Sequence, residues 1–184
     1  RARMVSRKEK AMVRLLLHEF FHILSRNQPG LRDKLYRIVG FLPCGDVKLP
    51  PALELRKLTN PDAVGSRYRV EVQVDDKLLS VVPVLYSSSE KYDEKKGGEF
   101  LRYLVFRLMA VKEVDGKWVP ALKDGKPHLL DPAGVKDFHR KIGKNTGYII
   151  HPEEVLADNF VLLMLGKEKV PTPRILEEMD RLLK

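Results

Sequence analysis

The sequence has only one cysteine and no long apolar run. With the single thiol of Cys44 the chain cannot form an internal disulfide, and this composition suits a reducing compartment, so a cytoplasmic location is expected. The densest apolar run, residues 160–165, is far shorter than the roughly 20 residues that a transmembrane helix needs. We therefore expect no membrane-spanning segment in this chain.

The sequence also lacks the signatures of nucleic-acid-binding proteins, although it is basic. It contains 34 lysine and arginine residues against 25 acidic residues, which gives a formal net charge of +9. Such a charge attracts nucleic acid when it is concentrated on one surface. Here the basic residues are scattered and often lie beside acids, as in KYDEKK at residues 91–96, and zinc-finger spacing is absent from the sequence. We expect no nucleic-acid partner.

Five consecutive residues, HEFFH at positions 18–22, carry the strongest functional signal. At 3.6 residues per turn, His18 and His22 lie on one face of a helix, where two imidazoles can bind one metal ion. The pattern H-E-x-x-H is typical of zinc hydrolases, in which the glutamate, here Glu19, acts as a general base. The alternative is an amphipathic helix that carries two histidines near a core.

The residues around this motif predict a helix. Ser6 and Glu9 have the spacing of a capping box, and Asn27, Pro29 and Gly30 form a stop signal, so the helix should run from about residue 7 to about residue 25. Apolar residues also recur at helical spacing. We expect apolar side chains to surround the histidines, namely Leu15, Leu17, Phe21 and Ile23.

A third metal ligand is expected, because catalytic zinc sites usually have three protein ligands and a water. The best candidate lies on a predicted helix at 152–165, where Glu154 and Asp158 share a face at i, i+4 spacing. Glu154 could bind zinc, and Asp158 could orient a histidine through its second ring nitrogen. Alternatively, Glu153 and Glu154 only complement the helix dipole.

The segment from Glu154 to Asp158 resembles the E-x-x-A-D element that accompanies H-E-x-x-H in gluzincin-type zinc metallopeptidases. The likeness is greatest to the HtpX and CAAX prenyl protease group and looser to thermolysin, so it indicates the clan. This resemblance implies a zincin-like fold with Zn²⁺ bound by His18, His22 and Glu154. It also implies that Glu19 is the base and that Asp158 supports a ligand.

The sequence between the two helices predicts a sheet. Apolar residues alternate with polar ones from Tyr68, and Asp115-Gly116 is a hairpin signal, so we expect an inserted antiparallel sheet of about four strands at 66–121. The polar segment 87–98 is predicted to be a mobile loop. The whole chain, residues 1–184, is interpreted as one α+β catalytic domain.

Two further residues are candidates for catalysis. A tetrahedral intermediate needs a hydrogen-bond donor opposite the base, and Tyr148 or His151 could supply it. The leading hypothesis is a zinc metallopeptidase that acts on a peptide or protein substrate, as an endopeptidase in preference to an exopeptidase. The alternatives are a proteolytically inactive zincin-like interaction domain and a zinc hydrolase that acts on a non-peptide amide or ester.

Overall fold

The computed structural model describes residues 6–62, 65–91 and 99–184. Most of the loop predicted at 87–98 lies outside these residues. The described chain is α+β, as expected from the sequence. Its helices are α1 (Arg7–Asn27), α2 (Pro29–Ile38), α3 (Pro51–Glu54), α4 (Lys136–Ile142), α5 (Pro152–Met164) and α6 (Pro173–Leu183).

The strands are mostly antiparallel partners in one sheet. They are β1 (Phe41–Pro43), β2 (Tyr68–Val74), β3 (Lys77–Ser87), β4 (Leu104–Val114), β5 (Lys117–Pro120), β6 (Leu122–Lys123), β7 (Lys126–Pro127) and β8 (Leu129–Leu130). Among the described helices, none has the length and apolar content needed to cross a membrane.

The chain divides into two compact units. We call residues 40–141 the sheet unit, and the described parts of residues 1–39 and 142–184 the helical unit. The sheet unit is wider than the insertion predicted at 66–121. The reason is that short elements on both sides of that range belong to it, including β1 at its start and β8 near its end.

The sheet unit is built on a six-stranded antiparallel sheet in the order β1-β2-β3-β4-β5, with β8 also paired to β4. Val81 in β3 lies opposite both Val70 in β2 and Ala110 in β4, which fixes the register of the central strands. At the β4–β5 turn, Asp115 and Gly116 have φ angles of 49° and 73°. This left-handed pair is the geometry of a two-residue hairpin turn, as the sequence predicted.

The central strands of the sheet are buried on both faces. Val82 and Met109 belong to an apolar cluster that also contains Leu53 of α3. On the opposite face, the ring of Phe138 in α4 lies 6.4 Å from the ring of Phe106 in β4. Since both faces are covered, the buried residues 108–111 of β4 are all apolar and do not alternate with polar ones.

The helical unit contains both helices of the predicted metal site. The capping box at the start of α1 is present, because the Ser6 side chain accepts a hydrogen bond from the Glu9 backbone and the Glu9 side chain accepts one from Ser6. The predicted boundaries of α1 and α5 agree with the structure to within two residues. Many of the apolar side chains that predicted α1 are exposed, however, including Phe20, which is 54% exposed.

Candidate metal centre

The start of α5 is set by its cap and its first residue. The side chain of His151 accepts a hydrogen bond from the backbone N–H of Glu153, and Pro152 occupies the first helical position. Proline suits that position because its fixed φ angle is already helical and the first turn requires no N–H donor. Glu153 and Glu154 therefore occupy the first turn of α5, and both are buried.

Helices α1 and α5 bring the predicted ligands together. His18 contacts Asp158 in the middle of α5, whereas His22 contacts Glu153 at its beginning, so the two helices run in opposite directions. The rings of His18 and His22 lie one turn apart with centroids separated by 4.7 Å. Both histidines thus face the same side of α5.

Three donor atoms form a cluster that fits a metal ion. Nε2 of His18 lies 3.2 Å from Oε2 of Glu154, and Nε2 of His22 lies 4.0 Å from the same oxygen. The potential ligand atoms of these three residues all lie within 4.8 Å of one another. In a tetrahedral zinc site with bonds of roughly 2.0–2.1 Å, donor atoms are about 3.3 Å apart. Two neutral imidazoles and one carboxylate are also a donor set that zinc prefers.

The second nitrogen of each histidine meets a different carboxylate. Nδ1 of His18 lies 3.2 Å from Oδ1 of Asp158, and Nδ1 of His22 lies 2.9 Å from Oε1 of Glu153. Because a carboxylate accepts hydrogen bonds, Nδ1 of His22 is assigned as the donor, which leaves the lone pair on its Nε2. Both nitrogens of His18 lie 3.2 Å from a carboxylate oxygen, and a metal ion bound by Glu154 would select the tautomer with the proton on Nδ1. Both lone pairs are then available on the side of Glu154, which is the orientation that metal binding requires.

Asp158 is itself held in place by the loop that precedes α5. The hydroxyl of Thr146 donates to Oδ2 of Asp158. This loop is attached to the rest of the helical unit through the side chain of Asn145. Its Nδ2 donates to Oδ1 of Asn159 in α5, and its Oδ1 accepts from the backbone N–H of Thr172 before α6. The predicted role of Asp158 therefore has a structural basis in a network that ends at Thr172.

Glu153 is the functional residue that the sequence reasoning missed. The sequence associates Glu153 only with the helix dipole, but in the structure this residue is 1% exposed and hydrogen-bonded to Nδ1 of His22. Ser25 donates to the same oxygen of Glu153 at 2.6 Å, and Tyr36 donates to the other oxygen at 2.5 Å. Ser25 follows His22 by three residues and therefore shares its helical face, which was an available signal.

The immediate surroundings of the two histidines are thus more polar than expected. Phe21 is fully buried, but Leu15 and Ile23 are more than half exposed and do not enclose the site. Carboxylates and hydroxyls occupy the places that apolar side chains were predicted to fill.

Of the predicted catalytic residues, Glu19 offers a carboxylate oxygen within 4.8 Å of a ring nitrogen of His22, whereas Tyr148 and His151 lie outside the cluster of donor atoms. Glu19 is exposed on α1 beside His18. Tyr148 is 44% exposed, in the loop before α5, and its backbone N–H donates to the Thr146 hydroxyl.

His151, the other candidate donor, serves as the cap of α5, and its ring packs edge-on against Tyr36. Burial is the main reason that the pKa of His151 falls to about 4. The imidazole is therefore neutral at pH 7. Because Nδ1 accepts a hydrogen bond from Glu153, the proton of the neutral ring is on Nε2.

The chain was compared with protein-family models, with curated proteins and with solved structures, and none of them matches it. The arrangement of donors within the helical unit is therefore the basis for a functional conclusion.

Proposed function

We propose that this chain is a zinc-dependent metallopeptidase with a zincin-like arrangement of the gluzincin type. One observation carries the proposal: His18 and His22 both direct Nε2 towards Glu154, while each Nδ1 contacts a separate carboxylate. Random packing of an amphipathic helix would not orient both rings in this way. In metal sites, in contrast, histidine ligands almost always donate their second N–H to such a partner.

The residues of the proposed site have distinct roles. His18, His22 and Glu154 hold the metal, while Asp158 orients the ring of His18. A zinc ion held there would polarise the carbonyl of the substrate and make a water molecule more acidic. Glu19 accepts the proton of the attacking water on its carboxylate and delivers it to the nitrogen of the leaving amine.

The oxyanion donor is proposed to be Tyr148, with His151 as the second choice. Tyr148 is 44% exposed and does not form the cap of α5, so a substrate can approach its side chain. The Nδ1 atom of His151 is already used to cap α5, which leaves only its Nε2–H as a donor. The proposed substrate is a peptide or an unfolded protein segment.

The test compares the wild type with Glu19→Gln and with Glu113→Gln, an exposed glutamate of β4 that serves as the control. Bound zinc is measured by elemental analysis, and hydrolysis is followed with an unfolded protein substrate. We expect all three proteins to bind one zinc ion and Glu19→Gln alone to lose activity, by roughly 10²–10⁴-fold. Full activity of Glu19→Gln would contradict this mechanism.

The same experiment separates the alternatives. A wild type that binds zinc but does not cleave the unfolded protein would contradict the peptidase proposal. Incubation of that protein with small amide and ester substrates would then distinguish a non-peptide hydrolase from an interaction domain. A wild type without zinc would contradict all of the zinc-dependent functions.

A further inference from the structure

Glu153 joins three helices at one buried carboxylate. It lies on α5 and accepts hydrogen bonds from His22 and Ser25 on α1 and from Tyr36 on α2. The three donors use both of its oxygens, with His22 and Ser25 on Oε1 and Tyr36 on Oε2. Such a convergence of donors suits a carboxylate that acts only as an acceptor.

The carboxylate of Glu153 lies in the interior of the helical unit, and ionised side chains are rarely buried in protein interiors. Glu153 is 1% exposed, and the neighbouring Glu154 is equally buried. Buried carboxylates are destabilising unless a compensating charge or several hydrogen bonds accompany them. The first turn of a helix favours a negative charge, but that effect is small compared with the desolvation of two carboxylates. The three hydrogen bonds to Glu153 offset part of this cost, and a divalent cation beside Glu154 would add an opposite charge.

We propose that Glu153 is a positioning residue that raises the metal affinity of the site and lowers the stability of the metal-free protein. It fixes His22 with the proton on Nδ1, and it places a second negative charge near the metal position. The proposal rests on the zinc site of the proposed function, but it does not depend on peptide cleavage.

Asp158 provides an internal comparison. It makes the equivalent contact to His18, but its side chain is 31% exposed and is partly solvated. Water screens the charge of such a group, whereas little screening reaches Glu153. Removal of the charge should therefore weaken metal binding more at Glu153 than at Asp158.

The principal variant is Glu153→Gln, which keeps the shape of the side chain and removes its charge. The amide oxygen can still accept from His22 and Ser25, and the amide nitrogen can donate to the hydroxyl of Tyr36. We expect the affinity for Zn²⁺ to fall by roughly 10–100-fold. The affinity of Asp158→Asn for Zn²⁺ should fall by less. The affinity of Glu168→Gln, which changes an exposed glutamate of the same unit, should stay the same.

Two measurements separate positioning from a merely structural role. Titration with Co²⁺ reports the geometry of the site through its visible absorption bands, which should shift in Glu153→Gln and not in Glu168→Gln. Thermal unfolding of the metal-free proteins should show an equal or higher midpoint for Glu153→Gln than for the wild type. Ser25→Ala, which removes one donor and leaves the charge, should weaken zinc binding only roughly fivefold.

Three outcomes would overturn the proposal. The first is an unchanged zinc affinity in Glu153→Gln. The second is a lowered unfolding midpoint of that metal-free variant, which would show that Glu153 serves the fold. Should Glu153→Gln fail to fold, this second outcome applies. The third is a wild type that binds no zinc, which would also refute the proposed function. A wild type that binds zinc but lacks peptidase activity would refute the peptidase alone.

Discussion

The interiors of the two units differ in chemistry. The centre of the sheet unit is a cluster of aliphatic side chains, with Val82, Met109 and Val111 at its middle. The helical unit instead encloses five buried polar residues among its helices. They are His22, Ser25, Glu153, Glu154 and Asn159.

This difference indicates that the interior of the helical unit is less stabilising than an aliphatic interior would be, which is expected where buried side chains serve a function. An aliphatic centre stabilises a fold through burial alone, whereas each buried polar group must be compensated by a partner. In the helical unit, Asn159 has a structural partner in Asn145, but the other four residues converge on the metal position. Under the proposed function, the helical unit would carry the chemistry, whereas the sheet unit is stabilised by the burial of aliphatic side chains.

The largest effect that tests this division is expected for Met109→Ala. Its side chain is fully buried in the aliphatic cluster, so truncation should lower the free energy of unfolding by about 2–5 kcal/mol. Zinc affinity should be unchanged in the folded variant. Denaturant unfolding and zinc titration measure the two quantities. The control is Val114→Ala, at an exposed position of the same strand. A large loss of zinc affinity in folded Met109→Ala would contradict the separation of stability in the sheet unit from metal binding in the helical unit.

The next effect concerns Cys44, the only thiol and a potential zinc ligand in the sheet unit. Burial raises its pKa to about 11, from an ordinary value of 9.0. At pH 8 the reactive thiolate should therefore be about 100-fold less abundant than in a thiol of ordinary pKa. Alkylation should be correspondingly slow and should accelerate about tenfold per pH unit up to pH 11.

The same property of Cys44 bears on metal binding. A thiol must lose its proton to bind zinc, so the raised pKa should weaken zinc binding by Cys44 at neutral pH by roughly 100-fold relative to an ordinary thiol. We expect Cys44→Ser to retain one zinc ion per chain with unchanged affinity. A stoichiometry that falls in this variant would place a metal site in the sheet unit.

The smallest effect is expected at the start of α1. Ser6→Ala removes the cap of the helix, which should lower the free energy of unfolding by about 1 kcal/mol. His18 lies about three turns further along the helix, so zinc affinity should not change. Ser88→Ala, at an exposed serine of the sheet unit, should alter neither quantity. Weaker zinc binding by folded Ser6→Ala would show that the cap and the site are coupled.

Much of the candidate site could be predicted because its information is local. The i, i+4 spacing determines that His18 and His22 share a face, and the same holds for Glu154 and Asp158. The capping signals at Ser6 and Pro152 likewise fixed where the two helices begin. These features depend only on helical geometry.

The role of Glu153 could not be predicted in the same way. Consecutive helical residues point about 100° apart, and either glutamate could have faced the histidines. In the structure both do so, Glu153 at Nδ1 of His22 and Glu154 at Nε2 of His18, because of the rotation of α5 against α1, which is set by packing. The short strands β1 and β8 were missed for a related reason, because two or three residues carry no measurable periodicity and their pairing is decided by the strands beside them.

The adjacency of Glu153 and Glu154 has a consequence for how this protein could vary in length. Glu153 contacts Nδ1 of His22, Glu154 faces Nε2 of both histidines, and Asp158 contacts His18 from one turn further on. One residue inserted between Glu154 and Asp158 would rotate Asp158 by about 100° and separate it from His18. Insertions after Gly166, beyond the end of α5, would leave these contacts intact. Natural length variation should therefore be absent from 153–158 and tolerated after α5.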